Sequence, residues 1–194
     1  IKADVTNAHR RTRVKRCDHG WQACRLRADQ LWLNEMGTFG IGSASYWWAR
    51  MFGGMCRLTL SVMPQWLLAF ADDEIWITRG SDMILDLIVG IFFQVLMGIP
   101  FSWRKFKGGQ LVEWIGYLFD YKTFAVGISE ARSRWLLDWF RDTLSRGAVR
   151  VGELEEVLGR LSFTSTALWH IRPWLGPLYA WVSSVPSGAV LKLP

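Results

Sequence analysis

Apolar positions follow two different periods along this chain. Over the first two thirds they come in short runs broken by polar residues, the spacing of strands mixed with helices; over the last third they recur every three to four residues, the spacing of helices alone. Residues 1–5 read as a short strand ending near Asp4. In residues 43–60, Trp47, Met51 and Met55 fall at i, i+4 and i+8, which predicts a helix with one apolar stripe. Two apolar runs, 66–70 and 75–78, flank Ala71, Asp72, Asp73 and Glu74, the pattern of a β-hairpin with an acidic tip. Ser81 is positioned to cap the next helix, with Asp82 in its first turn. That helix is expected to be buried and amphipathic and to run to about Leu96, where Gly98 and Pro100 stop it.

Further on, residues 112–120 and 123–128 predict a hairpin joined at Tyr121 and Lys122. Leu136, Phe140 and Leu144 form one helical stripe, and Leu154, Leu158, Leu161 and Leu168 form another. Pro173 can open a last helix through Trp181, and residues 186–194 read as a tail. The expected architecture is an α+β domain over residues 1–128, a small helical domain over 129–185, and the tail.

Composition sharpens this outline. Hydrophobic residues are 51% of the chain and there are 13 tryptophans, enough for a packed core rather than a disordered chain. A net charge of +6 fits a polyanionic partner, either nucleic acid or an anionic membrane surface. The most apolar stretch, residues 84–101, is interrupted by Asp86 and Gln94 and ends after about four turns, short of the roughly 20 residues of a spanning helix, so no membrane partner is expected. Cys17, Cys24 and Cys56 are too few for a disulfide framework and suit a reducing compartment. With His19, the first two lack the close ligand pair of a zinc site.

The sharpest chemical feature is Asp72 beside Asp73. Adjacent carboxylates repel, and one pKa rises unless a cation neutralises them. Divalent metals would do so, and two such ions can activate an attacking hydroxyl and stabilise a leaving pyrophosphate. Asp4, at the end of a strand, is the candidate third carboxylate. The other reading of these residues alone is a solvated acidic turn, for which aspartate is well suited.

The order of motifs bears on that choice. Asp4 followed by Ala8 resembles the first catalytic motif of reverse transcriptases. Residues 37–44 resemble their substrate-side loop and helix. Phe70, Ala71, Asp72 and Asp73 resemble the aromatic-X-Asp-Asp box. Residues 98–105 resemble the next motif, ending in a lysine, and Trp114, Ile115, Gly116 and Tyr117 resemble the turn of the primer grip. Residues 158–163 and 172–175 resemble the thumb-side segment of retrotransposon enzymes, particularly the DIRS-like ones. Five or six weak motifs in one order, over nearly the whole chain, are together specific.

The resemblance implies a reverse-transcriptase palm, an antiparallel sheet with packed helices, followed by a helical thumb-like domain. It implies an RNA-directed DNA polymerase that transfers nucleotides to a primer with two Mg²⁺ ions, or Mn²⁺ in their stead, held by Asp4, Asp72, Asp73 and the carbonyl of Val5. His9, Phe39, Gly40 and Lys105 would meet the incoming deoxynucleoside triphosphate, with Lys105 favouring the charge on the pyrophosphate. Phe70, Ala71, Trp114, Ile115 and Gly116 would position the primer. Arg10, Arg11, Arg13, Lys15 and Arg16 would hold phosphates of an RNA or DNA template–primer. His9 departs from the usual aromatic residue, Thr38 from proline and Phe70 from tyrosine. Fingers strands ahead of Asp4, and a ribonuclease H segment beyond Trp181, would belong to a longer product, nuclear or cytoplasmic. A chain that keeps this fold to bind nucleic acid without catalysis is the alternative.

Overall fold

A computed structural model describes residues 1–38, 40–63 and 65–193. The chain packs as two compact units, Ile1–Gly109 and Gln110–Pro194. The strands over 111–128, grouped above with the first domain, belong to the second unit.

The first unit contains β1 (Lys2–Asp4), β2 (Ala23–Arg27), β3 (Gln30–Leu33), α1 (Gly42–Val62), β4 (Trp66–Phe70), β5 (Asp73–Ile77) and α2 (Met83–Leu96). Its main sheet is antiparallel in the order β1-β5-β4. Alternation along the strands turns Ala3, Leu67 and Trp76 to one face, where they pack with Val5 against Trp48, Phe52 and Cys56 of α1. Asp4 and Asp73 fall on the alternate positions. Helix α1 buries Ala44, Trp48, Phe52, Cys56 and Thr59, the stripe one residue along from the expected one; Trp47 and Met51 are exposed. Neighbouring stripes on a helix are both periodic, and only the sheet decides which is covered.

Two other expectations fail in α2. Ser81 is no cap: its hydroxyl donates to the Asp82 carboxylate, and the helix has no side-chain cap. The helix is also only half covered, with Leu87, Ile91 and Val95 packing partly buried against the core. Gly90 and Gln94 are its buried residues, and Ile84, Leu85, Ile88, Phe92 and Leu96 are exposed. The inward stripe is narrow because Gly90 sits against Trp76 and Gln65, where a Cβ would lie 2.2 Å from the Gln65 amide nitrogen. No helix among the described residues is long and apolar enough to cross a membrane.

The second unit contains β6 (Leu111–Trp114), β7 (Tyr117–Asp120), β8 (Ala125–Ile128), α3 (Glu130–Arg146), β9 (Ala148–Arg150), α4 (Val151–Thr164), α5 (Arg172–Ser183) and β10 (Val190–Lys192). The expected long strand over 112–120 is itself a hairpin, so three antiparallel strands stand in the order β6-β7-β8. Its turn uses Ile115 at φ 45° and Gly116 at φ 85°, two consecutive left-handed residues suited to the twist of a tight hairpin. Ser129 caps α3 and Gly147 ends it. Leu136 packs with Leu154, Leu158, Leu161, Leu175 and Val182, whereas Leu144 is exposed, so only the first residue of that expected stripe is core. The tail is not free: Leu191 is buried, and β10 pairs with β9.

Candidate active site

The site is assembled from backbone pairing outward. The antiparallel register sets Asp4 of β1 directly opposite Asp73 of β5. The Val5 amide donates to the Asp72 carbonyl at 2.9 Å, which ties the hairpin tip to the end of β1. The other edge of β1 is taken by the segment after α2. It bridges Val5 to Phe101 and Lys2 to Lys107, with a one-turn 3₁₀ helix at Trp103–Lys105 between. That excursion swings Lys105, 101 residues away in sequence, onto Asp4, where its ammonium donates to both carboxylate oxygens at 2.9 and 3.0 Å. The structure thus brings Asp4, Asp72, Asp73 and Lys105 together.

Electrostatics reflect this crowding. The Asp73 carboxyl is pushed up by burial above all; Lys2, 3.8 Å away, pulls it down, and Asp4 and Asp72 push it further up. Lys105 is held above the usual range by its hydrogen bond to Asp4 and the attraction of that carboxylate. Lys2, which drew no attention in the sequence, is therefore a second resident cation of the cluster.

The support beneath the acidic tip also went unread. The Trp48 indole donates to the Ala71 carbonyl at 2.8 Å. Ala71 has φ 54°, a left-handed conformation that strains a residue with a Cβ, so α1 anchors the turn that carries Asp72. Glu74, fully buried, accepts from Trp76 at 3.0 Å, Gln94 at 3.0 Å and the Cys56 thiol at 3.6 Å. Burial drives its carboxyl above the ordinary range, and the three hydrogen bonds draw it partly back. The Cys56 thiol is itself pushed up to about 12, first by burial and then by Glu74. The network links β5, α1 and α2. Its sequence signal was a polar residue, Gln94, inside an apolar run, which had been read as an interruption.

Around this centre, the remaining expected residues divide. His9 is half-buried, and Gly37 packs against it so closely that a Cβ there would lie 2.6 Å from the His9 carbonyl oxygen. Gly40, at φ 89°, has open space around it. Phe39 lies outside the described residues. Arg10, Arg11, Arg13, Lys15 and Arg16 are all exposed. Phe70 and Ala71 are exposed at the hairpin tip. Trp76 and Trp114 are buried, and Trp103 is exposed. Trp114, Ile115 and Gly116 belong to the second unit. There, the Arg132 guanidinium covers the Phe163 ring at 4.2 Å, and Arg160 covers Trp135 at 4.0 Å.

Among the described residues, no three histidine, cysteine or acidic side chains meet as a metal-ligating group. The donor chemistry nonetheless suits a hard divalent cation, since it is all oxygen and rich in carboxylate. A resident cation already sits on it: the Lys105 ammonium is bound by both oxygens of Asp4.

No family model matches the chain, and no curated protein matches it. Solved structures do. A foamy viral protease-reverse transcriptase in complex with an RNA/DNA hybrid superposes with a TM-score of 0.69 at 14% identity, covering 98% of this chain and 24% of that one. Its dRH form with double-stranded DNA gives 0.70 at 14% identity, covering 98% and 31%. The protein with double-stranded DNA gives 0.67 at 17% identity, covering 98% and 37%. The chain has a reverse-transcriptase-like fold, and it spans between about a quarter and two fifths of those proteins.

Proposed function

We propose that this chain is the polymerising part of a retroelement reverse transcriptase, of the DIRS-like type, extending a primer on an RNA or DNA template. The observation that carries the reading is Asp4 opposite Asp73, with Asp72 beside them, on a fold shared with enzymes solved on an RNA/DNA hybrid and on double-stranded DNA. Residues 1–109 act as palm and the helices after residue 129 as thumb.

Asp4, Asp72, Asp73 and the Val5 carbonyl would hold Mg²⁺ or Mn²⁺, which when bound activates the primer 3′-hydroxyl and neutralises phosphate charge. The hydroxyl oxygen attacks the α-phosphorus and pyrophosphate leaves. Lys105, with an exposed stem, meets the charge growing on the pyrophosphate. Phe70 lies against the primer end, and the turn at Ile115 and Gly116 steadies the primer strand. The open backbone at Gly40 admits the nucleotide. Arg10, Arg11, Arg13, Lys15 and Arg16 bind phosphates without reading sequence.

Primer extension by the full chain on RNA and DNA templates tests this. Asp72→Asn is expected to abolish extension while duplex binding persists; extension at the wild-type rate by Asp72→Asn would refute it. The second reading, nucleic-acid binding without transfer, draws on Lys105 seated on Asp4. It predicts duplex binding with no extension by any form of the chain.

A further inference from the structure

We propose that Lys105 is a built-in occupant of the cation position at Asp4, and that a divalent metal enters only by exchanging with it. The inference rests on reading Asp4, Asp72 and Asp73 as the metal-binding carboxylates. Asp4 is buried, with a side chain only 10% exposed, so its charge needs a partner whenever metal is away. Lys105 supplies that partner by a chelate-like contact, 2.9 and 3.0 Å to the two oxygens that a metal would use. Both cannot hold the same pair of oxygens at once.

The two lysines of the cluster differ in how free they are to leave. Lys2 lies between β5 and the Lys107 segment, its backbone N–H and carbonyl both bonded to Lys107, and its side chain is 24% exposed. It is 3.8 Å from Asp73 and stays as a fixed counter-charge. Lys105 has a side chain 61% exposed and stands on a three-residue 3₁₀ turn that leaves the line of β1 pairing between the bridges at Phe101 and Lys107. Its ammonium can swing into solvent without breaking a strand bond. Exchange also releases this lysine to the anionic triphosphate that accompanies the metal, so one side chain keeps the empty site folded and serves the loaded one.

The test uses the full chain without nucleic acid. Mn²⁺ affinity is measured by electron paramagnetic resonance for the wild type, Lys105→Met, Lys105→Arg and Arg104→Met, each first shown by circular dichroism to be folded at the temperature of the titration. Loss of one partly exposed ion pair is expected to tighten Mn²⁺ binding about three- to fivefold in Lys105→Met. Lys105→Arg is expected to bind like the wild type or more weakly, and Arg104→Met, which keeps the Asp4 contact, to change little. In parallel, Mg²⁺ titration followed by ¹⁵N spectra of lysine ammonium groups is expected to erase the protected Lys105 signal. Equal Mn²⁺ affinity in wild type and Lys105→Met overturns the exchange while leaving the metal reading intact. The same tightening in Arg104→Met would reduce the effect to general charge and overturn it too. Absence of Mn²⁺ binding in every form overturns the inference together with the reading beneath it.

Discussion

Gly116→Ala is a demanding test of the second unit, because two separate penalties meet at one atom. Gly116 has φ 85°, so an alanine there is strained by about 1–2 kcal/mol. The added Cβ would also lie 2.4, 2.5 and 2.6 Å from three atoms of the Arg132 guanidinium, far inside contact distance. Arg132 must then leave the Phe163 ring it covers at 4.2 Å, a loss of about 0.5–1 kcal/mol. Stiffening of the unfolded chain by alanine returns about 0.4–1 kcal/mol. The net expectation is a destabilisation of about 1–2 kcal/mol, read as a lower midpoint in urea unfolding. A cycle with Arg132→Ala separates the two parts. Once Arg132 is shortened the overlap is gone, and the double variant is expected to be about 0.5–1 kcal/mol less damaging than the sum of the single ones. Strict additivity, or a Gly116→Ala midpoint equal to wild type, would refute the argument that this turn is shaped around Arg132.

Glu74→Gln probes the buried carboxylate. Burial raises the folded-state pKa of Glu74 above its ordinary 4.5, so the folded form binds the extra proton and wild-type stability falls as pH rises from about 4.5 through the folded value. Asp73, raised likewise, is common to both proteins and cancels. The stability of wild type minus that of Glu74→Gln, from urea midpoints between pH 4 and 8, is therefore expected to fall with pH and then level; a flat or rising difference would sink the idea. Trp48→Phe removes the indole donor to Ala71, about 0.5–1.5 kcal/mol for the hydrogen bond with a further cost for the space left in the core. Faster amide exchange at the Ala71 and Asp72 tip is the expected sign that the turn has lost its anchor, and unchanged exchange would count against that role.

What the sequence revealed and what it concealed have one physical division. Strand alternation and turn chemistry are local, so the acidic hairpin and the first strand were legible, and motif order joined Asp4 to Asp72, 68 positions further on. Choices made by packing were not legible. Trp47 and Trp48 are equally placed by period, and only contact with the sheet buries the second. The exposed face of α2 looks like core in sequence because it is apolar; the covered stripe sets Gly90 and Gln94 among Leu87, Ile91 and Val95. The pairing of β9 with β10 joins residues about 42 apart and leaves no local signature. Lys2 and Glu74 gain meaning only from neighbours far along the chain, Asp73 across the sheet and Gln94 on a helix.

The central claim is that Asp4, Asp72 and Asp73 form one metal-binding centre. Anomalous scattering from crystals of the chain soaked in Mn²⁺ tests it most directly. The account predicts a manganese peak within about 2.0–2.4 Å of oxygens from Asp4 and at least one of Asp72 and Asp73, with the Lys105 ammonium withdrawn. Manganese bound elsewhere, with Lys105 still seated on Asp4 at saturating metal, would contradict it.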